Sequence, residues 1–518
     1  MLRKNFTILF IIVFLFLSHS ILHAATWYVK TDGNDPGDCS NGQSWATAYE
    51  SIGKAVDCAS DGDEVWVKQG AYSGVNSGWI LVDEAIGIYG GFNGTEVTRS
   101  QRNWQSYITT LDGGESNTVR YFFITDNAVI DGFTITNGDY SSGGGAISIS
   151  AGATIANCTF TNNNSDSSGG AISIGSSSSP TITNCTFTGN TASGNGGAIY
   201  IGTTGTGTIT GCVFSSSNSA NYGGAIACNS SDINISGCTF TGSTADTNGG
   251  AINISNTTGS ISNCTFTNNS VSGPNYGGGI CNTNGTTVTI SDCTFTENAA
   301  ASGAGIYNSS NTTITRCLFI GNTADTTTNG SGAGIYNGSS TPTITNCIFA
   351  GNSSTYIGGG IMNYSSANAI ITNCTFTGNN SDTNGTITSS DSNPTITNCI
   401  LWNNTGDEIH NISSSAPVIS YCNIDQDGYV GSNNNIRSDP MFKDVSDSDP
   451  TNWDLHLKRK SPCIDMGNTS ATGIPTIDFE GDERVIDGDR NGTASVDIGA
   501  DEYIPKGMIA HLLMLLLN

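Results

Sequence analysis

The side chains best spaced for chemistry lie near the end of the chain. Asp487, Asp489 and Asn491 alternate with Gly488 and Arg490 and are followed by Gly492. Oxygen ligands thus stand at positions 1, 3 and 5 with a glycine at 6, the spacing with which a short loop wraps calcium. The Glu expected at position 12 is Ile498, and Asp497 comes one place early. Asp487, Asp489, Asn491 and Asp497 are therefore the candidate metal ligands. Calcium is the cofactor they would take, and its expected effect is to stabilise the C-terminal segment rather than to catalyse. The plainer alternative is an Asp-rich surface turn. General acid–base chemistry has little to work with, because beyond residue 24 the only histidines are His410, His456 and His511. No catalytic residue is assigned.

Two further residue sets could hold or bind something. Cys39 precedes the segment Trp45–Ala59 and Cys58 stands near its end; the two are the candidate disulfide, provided the chain reaches an oxidising compartment. The first 24 residues imply that it does. Arg3 and Lys4 precede an apolar run from Phe6 to Leu17, and Leu22-His23-Ala24 offers a cleavage site, the layout of a secretory signal. The run is too short to span a bilayer, which takes about 20 residues, so the mature chain is expected to be exported and to have no transmembrane span. Tyr200, Tyr307 and Tyr336 recur at one position of a repeat and are the candidate binding residues, since tyrosine offers an apolar face with a polar tip suited to sugar rings.

The repeat supplies the elements that must position these groups. Cys158, Cys185, Cys212, Cys238, Cys264, Cys293, Cys317, Cys347, Cys374, Cys399 and Cys422 recur every 23 to 30 residues. Each lies three places after an Ile, and most lie two places before a Phe. Side chains alternate along a strand, so Ile and Phe five places apart can both face inward only if a corner intervenes. Asn, Gly or Asp stands one place before nearly every Cys, as at Asn157, Asn184 and Gly211. These types tolerate the left-handed backbone that a corner needs. Arg316 and Tyr421 are the exceptions, and Arg316 reads as a solvated turn residue.

Gly-Gly-Ala-Ile at 144–147, 169–172, 196–199, 223–226 and 249–252 adds a turn and a third short strand. Asn three places after Phe, as at Phe160/Asn163 and Phe295/Asn298, can bond to its own copies along a stack. The pattern describes one rung of a parallel β-helix. About twelve rungs at about 4.8 Å give a rod of about 55–60 Å. Inward cysteines stacked at that spacing stand too far apart for bridges, which need about 3.5–4.5 Å between Cβ atoms, so they read as buried free thiols.

Composition narrows the partners. With 43 acidic against 17 basic residues and a formal charge of −26, nucleic acid is excluded as a partner. Between Arg120 and Arg437 the only Lys or Arg is Arg316. Asp166, Asp246, Asp325 and Asp382 share one turn position on rungs two or three apart. That places them about 10–15 Å apart, beyond the roughly 5–9.5 Å of a glycosidase pair.

Gly-Gly-Ala-Ile in phase with Phe-x-x-Asn over about residues 130–405 resembles the repeats of the chlamydial polymorphic outer-membrane proteins. That resemblance implies a right-handed β-helix and an adhesin-like role. The residues from Ile400 onward lack the alternating strands of that family's transmembrane barrel, so the same mode of export is not expected. The flanks resemble exported bacterial proteins of the pectin-lyase-like superfamily: Trp27-Tyr28-Val29, Ser44-Trp45-Ala46 and Gly62–Val65 at the start, Asp439–Phe442, Ser461–Asp465 and Asp497–Glu502 at the end. Polysaccharide lyases of this fold are expected to need Asp-bound calcium and an Arg or Lys base, which the rod almost wholly lacks.

The expected fold is all-β, a right-handed parallel β-helix with an N-terminal cap and an acidic C-terminal segment. Residues 1–24 are read as signal, 25–129 as cap and first irregular coils, 130–424 as repeat helix, 425–503 as closing segment and 504–518 as a tail without an assigned role. The expected function is structural and adhesive, at the cell surface or outside a bacterium, toward a polysaccharide or another cell-surface ligand. The rival is a polysaccharide-degrading enzyme, a pectate-lyase-like lyase or a glycoside hydrolase. A remote third reading, ice binding, rests on outward Thr-x-Thr pairs such as Thr159/Thr161, an array interrupted at Leu318/Ile320 and Ile348/Ala350.

Overall fold

The computed structural model describes residues 24–505 apart from 74–77, 115–118, 220 and 326–328. Residues 1–23 of the segment read as a signal, the tail beyond 505 and His511 lie outside the described residues. The chain winds into a parallel β-helix whose coils contribute strands to three long faces. The first sheet has fifteen strands, from Thr26–Val29 to Val418–Ser420, and the second has fourteen, from Gly70–Ser73 to Asn423–Ile424. The third is built on Ile-x-Ile strands such as Ile172–Ile174. Twelve strands of the first sheet, from Val129–Asp131 to Val418–Ser420, match the expected twelve rungs, and three more come from the irregular coils before residue 130. The three-strand rung proves incomplete. A two-residue strand, Asn164–Ser165 in one coil and Thr191–Ala192 in the next, lies between the Phe strand and the glycine turn.

Each rung turns its corner as its residue types require. Ile155, Cys158 and Phe160 are all buried, and Asn157 between them takes φ 52°. Arg316 and Tyr421 adopt the same backbone, at φ 49° and 52°. The left-handed form costs a side chain about 1–2 kcal/mol. At Arg316 a bidentate ion pair with Asp292, at the corner one rung earlier, offsets this: Nε and Nη2 donate to the two carboxylate oxygens at 2.6 and 2.9 Å. Arg316 is thus a partnered rung-to-rung link and not a solvated turn residue.

Register between coils is strict. Ile155 pairs with Ile182, Phe160 with Phe187 and Ile172 with Ile199. Nine phenylalanines from Phe160 to Phe376 therefore stack ring on ring, with centroids 4.6–4.9 Å apart. The repeat cysteines form a second inward column and are free and buried.

A buried asparagine ladder runs beside them. Asn298 donates from Nδ2 to Phe266 O at 2.9 Å and to Asn322 Oδ1 at 3.0 Å, while its Oδ1 accepts from the backbone N–H and the Nδ2 of Asn269. At the far end Asn404 donates to Glu408, at 2.7 Å from its side chain. The ladder breaks at Ser217 and Ser243, whose buried hydroxyls have no hydrogen-bond partner among the described residues.

The closing segment does more than cover the end of the rod; it folds back along the outer face of the second sheet. Trp453, Leu455 and Phe479 pack on Ile320, Ile348 and Ala350. Phe442, Leu457, Ile464 and Ile498 pack on Ile400. The backbone N–H of Ala500 donates to Thr375 Oγ1 at 3.0 Å. The interruptions in the outward threonine array are therefore the floor on which this segment sits.

Two outcomes follow from the ladder. Replacing both Ser217 and Ser243 with Asn should join its two halves and raise the urea midpoint of the chain, since each new amide finds the partners that its neighbours already use. Burial lifts the Glu408 carboxyl from 4.5 to about 7. Its contribution to stability is full below pH 4.5 and is lost as pH rises through 7. Glu408→Gln should therefore make unfolding in urea less sensitive to pH between 5 and 8, by about 3 kcal/mol.

Candidate functional site

Two surface features gather the residue types singled out above. The first is an aromatic strip on the third sheet. Tyr307 and Tyr336 are neighbours in register with ring centroids 5.1 Å apart and planes within 10°. Tyr276, from the turn before Gly277, stacks on Tyr307 at 4.5 Å, and Tyr364 leans on Tyr336 at 6.2 Å. The two inner rings are half-buried, which pushes the Tyr307 hydroxyl up to about 12 and raises that of Tyr336. The outer two are exposed by 39% and 48%. The result is a row of four phenol rings with flat faces and polar tips.

Tyr200 does not join this strip. Its register neighbours are Ser173 and Ala227, so it stands alone further along the same sheet. Tyr276 and Tyr364 escaped the sequence reading because they occupy other positions of the rung. Tyr276 shares a face with Tyr307 only once the turn has folded, and Tyr364 reaches it from the end of the strand Ile361–Tyr364.

The second feature is the Asp loop of the closing segment. Carboxylate oxygens of Asp465, Asp487 and Asp489 lie within 4.8 Å of one another. Asp487 accepts from the backbone N–H of Asn491 and of Gly492, each at 3.0 Å, and Asp489 accepts from Asn491 Nδ2 at 2.9 Å. The loop is therefore shaped by its own amides. Asp497, expected as a ligand, is fully buried elsewhere, and its two oxygens accept from the N–H groups of Asp465 and Tyr503, both at 2.7 Å. That burial raises its carboxyl to about 7. Asp465 takes its place in the cluster, brought there from a turn that spacing alone does not reveal. Three converging carboxylates suit a hard, oxygen-seeking cation, so Asp465, Asp487 and Asp489 would hold calcium. Asn491 orders Asp489.

At the other end of the molecule, Cys39 and Cys58 form a disulfide that ties the first loop to the helix Ile52–Cys58. Among the described residues no helix is long and apolar enough to cross a membrane.

A family model described as right handed beta helix region matches residues 85–245 and again 197–366. Together the two matches span more than half of the chain. The chain belongs to the right-handed β-helix family. No curated protein matches it.

Solved structures similar to this β-helix protein include a rhamnogalacturonan lyase, at 12% identity over 82% of this chain and 91% of that one, with a TM-score of 0.33. The surface adhesin PfbA of Streptococcus pneumoniae is 16% identical over 77% and 94%, with a TM-score of 0.40. The pectate lyase Pel9A is 12% identical over 94% and 98%, with a TM-score of 0.32.

Calcium added to the chelator-treated chain should raise its melting temperature, and the double variant Asp487→Asn/Asp489→Asn should abolish that rise while leaving the calcium-free melting temperature within a few degrees. Differential scanning calorimetry with and without calcium checks both parts.

Proposed function

We propose that this chain is an exported or cell-surface β-helix protein that binds glycans through the tyrosine strip of its third sheet. The rod is the display scaffold. The observation that carries this reading is the four-ring row Tyr276, Tyr307, Tyr336 and Tyr364 on one face. Aromatic faces held at strand spacing offer a linear ligand successive apolar platforms at little entropic cost. The near absence of basic groups along the rod favours neutral polysaccharides over polyuronates, because a carboxylate chain meets no counter-charge there.

Affinity electrophoresis or calorimetry against a panel of plant, algal and bacterial polysaccharides tests the proposal. The full chain should be retained by at least one neutral glycan without releasing reducing ends or unsaturated products. Tyr307→Ala/Tyr336→Ala should weaken retention about tenfold or more, and Tyr200→Ala should not. Product release from any polymer would point to the enzyme reading instead.

A further inference from the structure

The closing segment and the second sheet enclose a cavity of about 250 Å³. Its floor is apolar, made by Leu318, Ile320 and Ile348 of the rod, and Trp453 and Phe479 line it from the segment. One wall is different in kind. His456, Glu480 and Asp501 line it too, from three separate stretches of the segment, and each brings a ligand atom within 4.8 Å of the other two.

This wall gathers carboxylates around a single imidazole. His456 Nδ1 lies 2.5 Å from Asp454 Oδ1, which also accepts from the His456 backbone N–H. A proton on Nδ1 directed at that carboxylate fixes the tautomer and leaves the Nε2 lone pair pointing outward. Nε2 then faces Glu480 Oε2 at 3.0 Å, lone pair against carboxylate, an arrangement that calls for a proton or a cation between them. Asp501 makes the same demand independently. Its Oδ2 is buried and accepts no hydrogen bond from any described residue. The nearby buried cation, Arg484, directs its terminal nitrogens at Gly499 O, Ala500 O and Glu502 and makes no hydrogen bond or ion pair with Asp501. Asp478 and Asp482 add further negative charge around the cluster.

We propose that His456 Nε2, Glu480 and Asp501 bind a divalent transition metal of the zinc class, with Asp454 as the positioning residue behind the histidine. A nitrogen and two carboxylate oxygens form a three-ligand zinc set. The 3.0 Å between Nε2 and Oε2 is close to the roughly 3.3 Å edge of a tetrahedron with zinc-length bonds. The fourth position opens on the cavity, which has room for a water or a small anion. An imidazole ligand separates this site from the all-oxygen Asp465–Asp487–Asp489 cluster, which suits calcium. The metal would cross-link residues 454–456, 480 and 501, the stretches that hold the closing segment on the rod.

The test uses the full chain without a polyhistidine tag, stripped by chelator and dialysed against zinc in the presence of excess calcium. One zinc per chain should remain by elemental analysis. His456→Ala and Asp501→Asn should weaken zinc binding about 100-fold or more in competitive titration, and Asp454→Asn about 10–100-fold. Asp487→Asn should leave it unchanged. Cobalt(II) loaded in place of zinc should give the intense visible absorption of a four-coordinate site. If His456→Ala fails to fold, Glu480→Gln serves, with circular dichroism as the check. No retained zinc, zinc displaced by calcium, an absorption spectrum like that of aqueous cobalt, or unchanged binding in His456→Ala or Glu480→Gln would each overturn the assignment.

Discussion

In-register parallel pairing makes every rung stack on its own copy, and the rest of the molecule follows from that constraint. At a strand spacing of about 4.8 Å, a residue type that cannot tolerate itself as a neighbour has no place inside. Phenylalanine tolerates it by stacking, cysteine by acting as a small hydrophobe whose Sγ accepts from the N–H of the preceding cysteine, and asparagine by being donor and acceptor at once. Charge does not tolerate it. A column of like charges at this spacing would repel along its whole length, which accounts for a repeat region almost without Lys and Arg. The one arginine sits at a corner, with Asp292 as its neighbour instead of a copy of itself.

The same constraint decides which parts of the architecture could be read from the residues alone. Columns leave a period in the sequence, so the inward Ile, Cys and Phe, the corner one place before Cys, and the asparagine ladder were all legible. The two-residue strand at Asn164–Ser165 was not, because its positions hold Asn, Thr, Ser and Ala in different rungs and carry no recurring signal. Tyr307 and Tyr336 were legible as adjacent copies, whereas Tyr276 reaches them from a turn whose direction only the fold sets.

The closing segment was hardest to read because it has no period. Its contacts are between unlike residues far apart in the chain, such as Trp453 on Gly378 and Ala500 on Thr375. Sequence spacing placed Asp497 in a loop from which its burial removes it, and it gave no hint that Asp465 joins Asp487 or that His456 meets Asp501. One trace of the segment was nevertheless present in the repeat. Leu318, Ile320, Ile348 and Ala350 stand where other rungs carry Thr, and apolar residues on an otherwise polar outer face mark a covered surface.

That footprint divides the rod into two halves with different evolutionary freedom. The closing segment rests on coils from Leu318 to Ile400, so the number of coils there is set by its reach, and gaining or losing one would pull Trp453 off its floor. The coils carrying Cys158 to Cys238 carry no such tether among the described residues. Each touches its two neighbours, and excising or duplicating a whole coil restores every column, from the phenylalanine stack to the corner. Copy number can therefore drift in the first half by unequal recombination between near-identical repeats, lengthening or shortening the rod while the aromatic strip and the closing segment keep their places relative to each other. Relatives of this chain should differ in length mainly there.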